Sequence, residues 1–541
     1  MKTILIFSLI ISATFCLSAE EIDYTVKSTK VEWNELPRGN TGLKAIGSIN
    51  DRAYILFQPF IAIHNGPTIG GGNSGHYIGM FDENVNLVKK TKLDLGPDGK
   101  KVDFEGAQII NNKILAFFSF QNEKSKSHYL FSRSVNPETL ELNDDAKMIG
   151  ELDYSGISKY KRTSVQYEIS EDESKIMFFY TVLNRKNEPL RFAVYVYDHN
   201  LNSLWQNSVV PNFKEGVFSY KQFRVDNNGD VYLLGAHYAD KKNYFDSGKF
   251  NAYNFFSKDT YFTDVPNFTY QLYKFSDSGT KETFSDIHLN SKFVRSMSFN
   301  VINGRTQVNG VFSDPETISA KGAFAFTLDV ESGEKTEMSI ENFSVDLIEE
   351  GFTEKQLNRF RRSLKDKSEY DPFDYHISEI KTLDDGTKYY TAEQFITGTK
   401  KEQSGNQISY TPIYHHNNVF IVLLNADNSI NSIEKISKNQ YSLRTSKYNS
   451  FIDFEKNGSL YFIYNTIEKK DGLFKNAELG ETYITKIDGS EKTSETYKSP
   501  ESSKTPLMMP GTKVELPNHS ILYGMMSGNF RNYMFEIIDV K

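Results

Sequence analysis

One local pattern, an alternating apolar strand, a short Asn/Asp/Gly turn and a second alternating strand, constrains this chain more than any other feature. It is clearest in FRVDNNGDVYLLGAH, starting at Phe223, where Asn228-Gly229 marks the turn. Asn and Gly accept positive φ, which suits the twist of paired strands. The unit recurs as SINDRAYILF from Ser48, IINNKILAFF from Ile109, SEDESKIMFF from Ser170, VINGRTQVNG from Val301, LDDGTKYYTA from Leu383, EKNGSLYFIY from Glu455 and LPNHSILYGM from Leu516. With the Phe223 copy, that makes eight.

A second hairpin follows each of the first seven, with a more polar outer strand; YMFEIIDVK from Tyr533 supplies one strand and ends the chain. Two hairpins in series make a four-stranded antiparallel unit, repeated at roughly 65 residues, and radial repetition of such units is a β-propeller. The expected fold is therefore all-β: a single β-propeller of eight four-stranded blades, with seven as the alternative. The last blade lacks a strand, and residues 24–33, YTVKSTKVEW, can provide it. That would close the ring and remove the open edges a linear array leaves. A monomer is expected.

Residues 1–19 read as a secretory signal, with Lys2 ahead of a short apolar core and Leu17-Ser18-Ala19 as a small-residue exit. The propeller domain then occupies 20–541. Lipidation at Cys16 is the competing reading; bulky Phe15 stands where a small residue is expected. The expected destination is the periplasm or the secreted space, with cell-surface association possible through that lipid. Cys16 is the sole cysteine, so the mature chain is expected to hold together by buried apolar area rather than disulfides. No later apolar run approaches the ~20 residues that span a bilayer. A net charge of −8 argues against nucleic acid, which needs a concentrated basic face. The 41 Phe and 32 Tyr suit half-buried strands.

One segment breaks the strand pattern. Over 345–368, Leu347, Ile348, Phe352, Leu357, Phe360 and Leu364 fall at helical spacing, with Thr353 placed as an N-cap. A helical insertion between blades 5 and 6 is expected.

Taken together, the Asn-Gly hairpins and the Phe/Tyr-rich strands resemble secreted bacterial β-propeller proteins over essentially the whole mature chain. The resemblance implies the architecture and no activity. The Trp-Asp dipeptide of WD40 repeats is missing, and SDSGTKETF at Ser276 does not match the aspartate box of sialidases.

In a propeller, the loops from second to third strand gather on one face with the blade-to-blade links, and loops on a rigid scaffold carry function. Four such loops read as long: 59–75, 239–267, 397–417 and 467–480. The first holds Gly70, Gly71 and Gly72, whose backbone amides can approach an anion. The second carries Tyr244, Phe245, Tyr253, Phe255, Phe256 and Tyr261, rings able to stack on sugars or grip apolar groups. No cofactor is expected. No metal site is expected either: adjacent His415 and His416 would point to opposite faces of a strand, and the Asp-x-Asn-x-Asn runs at Asp82 and Asp198 lack the Gly and Glu of a calcium loop.

Two functions fit these features. The first is a binding or scaffolding module that takes a protein or glycan ligand on the long-loop face. The alternative is a polysaccharide lyase or hydrolase, for which His64, His76, Arg162, Arg295 and His415 are the available acid, base and charge-neutralising groups.

Overall fold

The computed structural model describes residues 21–541 apart from 32–39, 60–74, 97–101, 144, 154–162, 183–190, 210–216, 240–258, 263–266, 316, 318, 367–372, 405–406, 444, 469–478, 490, 498, 500–506 and 527–532. Its strands pair as eight antiparallel blades. The first strands are Asn40–Ile49, Asp103–Ile110, Thr163–Ile169, Phe218–Val225, Phe293–Ile302, Asp374–Ile377, Phe451–Lys456 and Leu507–Glu515 for blades 1 to 8. First strands approach one another between blades 1 and 2, 3 and 4, 4 and 5, 5 and 6, 7 and 8, and 8 and 1, and the Tyr167 hydroxyl of blade 3 reaches the Ala107 carbonyl of blade 2, so they form the inner wall of a closed ring.

Core packing gives the same count. The buried apolar side chains fall into eight clusters, each shared by two neighbouring blades. A blade is apolar on both faces, and each face is covered by the next blade round. In the seam between blades 3 and 4, Phe179 stacks on Phe223 with centroids 4.5 Å apart; such pairs add to simple area burial.

Blade 8 is completed by Tyr24–Val31, which runs antiparallel to Tyr533–Val540 as the outermost strand, Tyr24 facing Val540 and Val31 facing Tyr533. Eight blades closed by the N-terminal strand are thus the observed architecture, and the seven-bladed alternative is set aside.

The turns divide by geometry. Asn457 and Gly458 both have positive φ, 55° and 77°, between the paired residues Lys456 and Ser459, a two-residue turn of the expected kind. The Asn228-Gly229 turn differs. Only Gly229 has positive φ there, and Asp226 pairs with Asp230 through the backbone, leaving a three-residue loop. The reason is the Asp226 side chain, whose Oδ1 accepts from the amides of Asn228 and Asp230, both at 2.9 Å. Asp82 and Asp198 cap their turns the same way. In those turns Val85 and Leu201 take positive φ (67° and 60°) while their side chains are buried in the seams. Packing overrides a conformation that disfavours branched residues.

The insertion forms two helices, α1 (Val345–Glu349) and α2 (Glu354–Asp366). Thr353 starts α2 as a capping box: its amide donates to Gln356 Oε1 at 2.8 Å, and the Gln356 amide reaches Thr353 Oγ1 at 3.4 Å. No helix among the described residues is long and apolar enough to cross a membrane.

Span 397–417, read above as a long loop, is instead a continuation of blade 6. Its second and third strands, Lys388–Ser404 and Gln407–Leu424, run 17 and 18 residues and project beyond the ring as a ribbon. Strand Asp259–Phe262, from the span 239–267 of blade 4, pairs with Lys400–Thr397 of that ribbon. Strand Gln440–Leu443 pairs with the ribbon and with blade 7, joining blades 6 and 7 into one sheet.

Candidate functional site

The inner wall is where the polar chemistry concentrates. Alternation along first strands places Gln166 and Glu168 on one face of blade 3, and Gln222 and Arg224 on one face of blade 4. Five first strands also carry register shifts: that of blade 1 passes over Thr41 and Ile46 and that of blade 8 passes over residues 510–513, whereas those of blades 2, 4 and 5 each pass over one residue near the start. In those three the residues passed over are Glu105 in blade 2, Lys221 in blade 4 and Arg295 in blade 5. A bulge leaves one residue outside the ladder and re-aims its side chain, and in all three blades that residue is charged.

Two cavities line this wall. One, of about 550 Å³, runs across blades 1 to 4 and is lined by Lys44, Glu105, Gln108, Gln166, Glu168 and Arg224, among others. The second, about 420 Å³, runs from blade 4 to blade 6 past Arg295, Asp374, His376 and Glu379. They share Lys221, Gln222 and Arg224. Both volumes suit a small ligand.

Arg224 is the hub. One guanidinium nitrogen lies 3.0 Å from Glu168 of blade 3, and another contacts Glu379 of blade 6. Burial raises the Glu168 carboxyl above its ordinary value, and Arg224 opposes the rise. Burial likewise raises Glu105, opposed by a hydrogen bond from the Ser119 hydroxyl. Two carboxyls held upward in one cavity are the kind of perturbation found at functional sites. Farther along, Arg295, 1% exposed, pairs with Asp374. By contrast, the side chains of Lys44, Gln108 and Gln166 form no hydrogen bond among the described residues, so the first cavity offers uncommitted donors and acceptors.

Beside the second cavity is a buried charge cluster. At the rim of that cluster His376, itself exposed, stacks on Phe395 with centroids 3.6 Å apart, and the protein crowded against its ring lowers the imidazole. Glu393 lies 3.0 Å from His416 Nδ1 and 2.7 Å from Lys438 Nζ, and accepts from Ser450 Oγ at 2.9 Å. Burial alone would raise the Glu393 carboxyl, but Lys438 and His416 overcome it and bring it down to about 2. Lys438 also donates to Gln440 Oε1 at 2.8 Å. These bonds fix the strand that ties blades 6 and 7, which is a structural task.

The residues expected from sequence are dispersed. His64, Arg162, Gly70, Gly71, Gly72, Tyr244, Phe245, Tyr253, Phe255 and Phe256 lie outside the described residues. His76 stacks on Phe104 at 4.2 Å, where burial pushes its imidazole down to about 4. His415 meets Tyr441 edge-on at 4.9 Å. Arg295 is in blade 5, paired across to blade 6. Tyr261 is placed by backbone pairing opposite Gly398 of the ribbon. Nothing brings His76, Arg295 and His415 together. His415 and His416 do face opposite ways, toward Tyr441 and Glu393 respectively. The wall residues Gln166, Glu168, Arg224 and Glu379 were missed, although charge at alternating positions of VQYEI and KQFRV was a usable signal.

No family model matches the chain, and no similar curated protein is found. Among solved structures, the chain is similar to the β-propeller domain of the trilobed protease from Pyrococcus furiosus, at 13% identity over 85% of this chain and 98% of that one, with a TM-score of 0.34. It is also similar to a polysaccharide lyase, at 12% identity over 83% and 94%, TM-score 0.32. An α-L-arabinofuranosidase of Fusarium graminearum gives 10% identity over 71% and 95%, TM-score 0.31. The eight-bladed ring itself stands on the strand pairing and the eight shared seams.

Proposed function

We propose that this propeller is an exported binding module that takes an oligosaccharide into the inner-wall cavity of blades 1 to 4. The observation that carries the reading is the set of uncommitted groups there, Lys44, Gln108 and Gln166, beside the Glu168–Arg224 pair and the ring of Tyr167. A sugar presents many hydroxyls that both donate and accept, and flat C–H faces. Amide and carboxylate side chains meet the first need and an aromatic ring the second. Binding is favoured over catalysis because the described candidates for elimination, His76, Arg295 and His415, occupy three separate places. In this reading residues 1–19 direct export, so the ligand is met outside the cytoplasm.

Calorimetric titration with oligosaccharides of graded charge tests this. Gln166→Ala and Glu168→Gln should each weaken the ligand that binds by about fivefold, the value of roughly one hydrogen bond. The sugar should be recovered intact. Failure of every oligosaccharide to bind, or wild-type affinity in both variants, would refute the assignment; release of unsaturated products would move the reading to a lyase.

A further inference from the structure

We propose that the tip of the blade 6 ribbon is a dimerisation edge: residues 407–411 of one copy pair antiparallel with the same residues of a second copy, across a two-fold axis through Ser409. Strand Asp259–Phe262 covers the outgoing ribbon strand only at 397–400, and Gln440–Leu443 covers the returning strand only at 413–416. Beyond them the ribbon continues as 401–404 paired with 407–411, and among the described residues no third strand joins it there.

A two-stranded ribbon standing alone is at best marginally stable in water. This one nevertheless carries Ile408 and Tyr410 on one face, 50% and 52% exposed, with Ser409 exposed on the other. Its two edges also differ. The outgoing strand carries Lys401 and Glu402, and outer strands such as LVKKTK of blade 1, KETFSDI of blade 4 and EKTSET of blade 7 are charged as well. Charge on an edge strand discourages pairing with another chain. Residues 407–411, QISYT, have none.

What matches that edge is its own sequence. With Ser409 on the axis, Ile408 of one copy falls opposite Tyr410 of the other, and residue 407 opposite residue 411. The first pairing, made twice, sets a β-branched side chain against an aromatic one, a combination that stabilises sheets, and no charge meets a like charge. The charged outgoing strands become the margins of a four-stranded sheet. Such an interface is isologous and closed, so no edge remains for a third copy. A strand from a different protein would have to bring a matching sequence; the two-fold arrangement needs only this chain. The ladder is short, which puts the dimer in the weak, concentration-dependent class, and the monomer expected from the sequence would then hold only in dilute solution.

Sedimentation velocity on residues 20–541, from micromolar to sub-millimolar concentration, should show a monomer–dimer equilibrium that stops at the dimer. Ser409→Lys places two ammonium groups on the axis and should weaken the dimer about tenfold, with part of the loss regained in high salt. Tyr410→Ala should weaken it about fivefold by removing both apolar pairs. Both side chains are exposed, so the ring should keep its melting temperature. Residues paired across antiparallel strands lie about 4.5–5.5 Å apart at Cα, within disulfide reach. Ser409→Cys, the only thiol in residues 20–541, should therefore cross-link two copies under copper-phenanthroline oxidation. Val88→Cys, on the outer strand of blade 1 and 53% exposed, should not. A monomer at every concentration, growth past the dimer, a dimer unchanged by Ser409→Lys and Tyr410→Ala, or equal cross-linking of the two cysteine variants would overturn the proposal. Oligosaccharide binding in the channel is read separately and can fail without touching this result.

Discussion

Arg224 of blade 4 and Glu379 of blade 6 form an ion pair that bypasses blade 5, while the same guanidinium holds Glu168 of blade 3 at 3.0 Å. One side chain therefore ties three blades along the inner wall. Replacing it strands two carboxylates that are each about two-thirds covered. Arg224→Met should lower stability by about 1–3 kcal/mol. Arg224→Lys should recover only part of this, because an ammonium cannot present the planar fork that reaches both acids. Urea midpoints of the two variants check the order; equal midpoints for Met, Lys and wild type would remove Arg224 from this role.

Glu536 gives a pH dependence of known sign. It is wholly buried in blade 8 opposite Ser28 of the closing strand, and it accepts from Tyr497 at 2.6 Å, Ser499 at 2.5 Å and Tyr523 at 3.2 Å. Burial raises its carboxyl, and these hydrogen bonds oppose the rise without cancelling it. A raised folded pKa means that its contribution is full below the ordinary glutamate value and is lost as pH rises through the folded one. Glu536→Gln should flatten that fall, and at pH 8 the variant should be at least as stable as the wild type. Thermal melts from pH 4 to 8 measure the two slopes; a wild-type slope that Glu536→Gln leaves unchanged would count against it.

Removing residues 20–33 should uncover the edge of Tyr533–Val540. The loss includes the burial of Ile22 and Val31, 6% and 1% exposed, each worth about 1.5–3 kcal/mol. An open edge is also a template for pairing with another chain. A lower melting temperature together with self-association is expected by calorimetry and light scattering; a melt identical to that of residues 20–541 would show that closure is dispensable.

Turn strain can be separated from turn packing at two positions. A Cβ on Gly458 would meet nothing within 4 Å, so Gly458→Val reads backbone strain alone, about 1–2 kcal/mol. Val85 already carries the strain at φ 67° and is fully buried. Val85→Gly releases the strain but gives up the burial, and should still cost about 1–2 kcal/mol net. A more stable Val85→Gly protein would mean that strain outweighs packing there.

The fold was legible because the alternation of two and the turn residues repeat, so each hairpin announced itself. The insertion was legible for the same reason at helical spacing, with Thr353 as its start. The ribbon was not. Its outgoing half, TGTKKEQS from Thr397, is polar at both odd and even positions and so reads as loop, although the return half carries Ile408, Tyr410, Pro412 and Tyr414 at alternating positions. The Asn228-Gly229 turn was misjudged because a side chain, Asp226, selects the loop length. The Glu393–Lys438 bond joins residues 45 apart that meet only through a strand inserted between two blades. Of the wall, single charges were visible, but the assembly of Glu168, Arg224 and Glu379 from three blades needs the ring to exist first.

The closing strand also sets how this ring bears load. Because Tyr24 lies opposite Val540, the chain enters and leaves blade 8 at the same end of one strand pair. Tension between the two ends would fall first on the Asp23–Lys541 contact, then on the Tyr24–Val540 pair and Thr25–Asp539, peeling the ladder one rung at a time toward Val31–Tyr533. A ladder pulled lengthwise would share the tension among all its rungs; this one opens like a zip and yields at low force. The other seven blades would feel nothing until the last rung had parted.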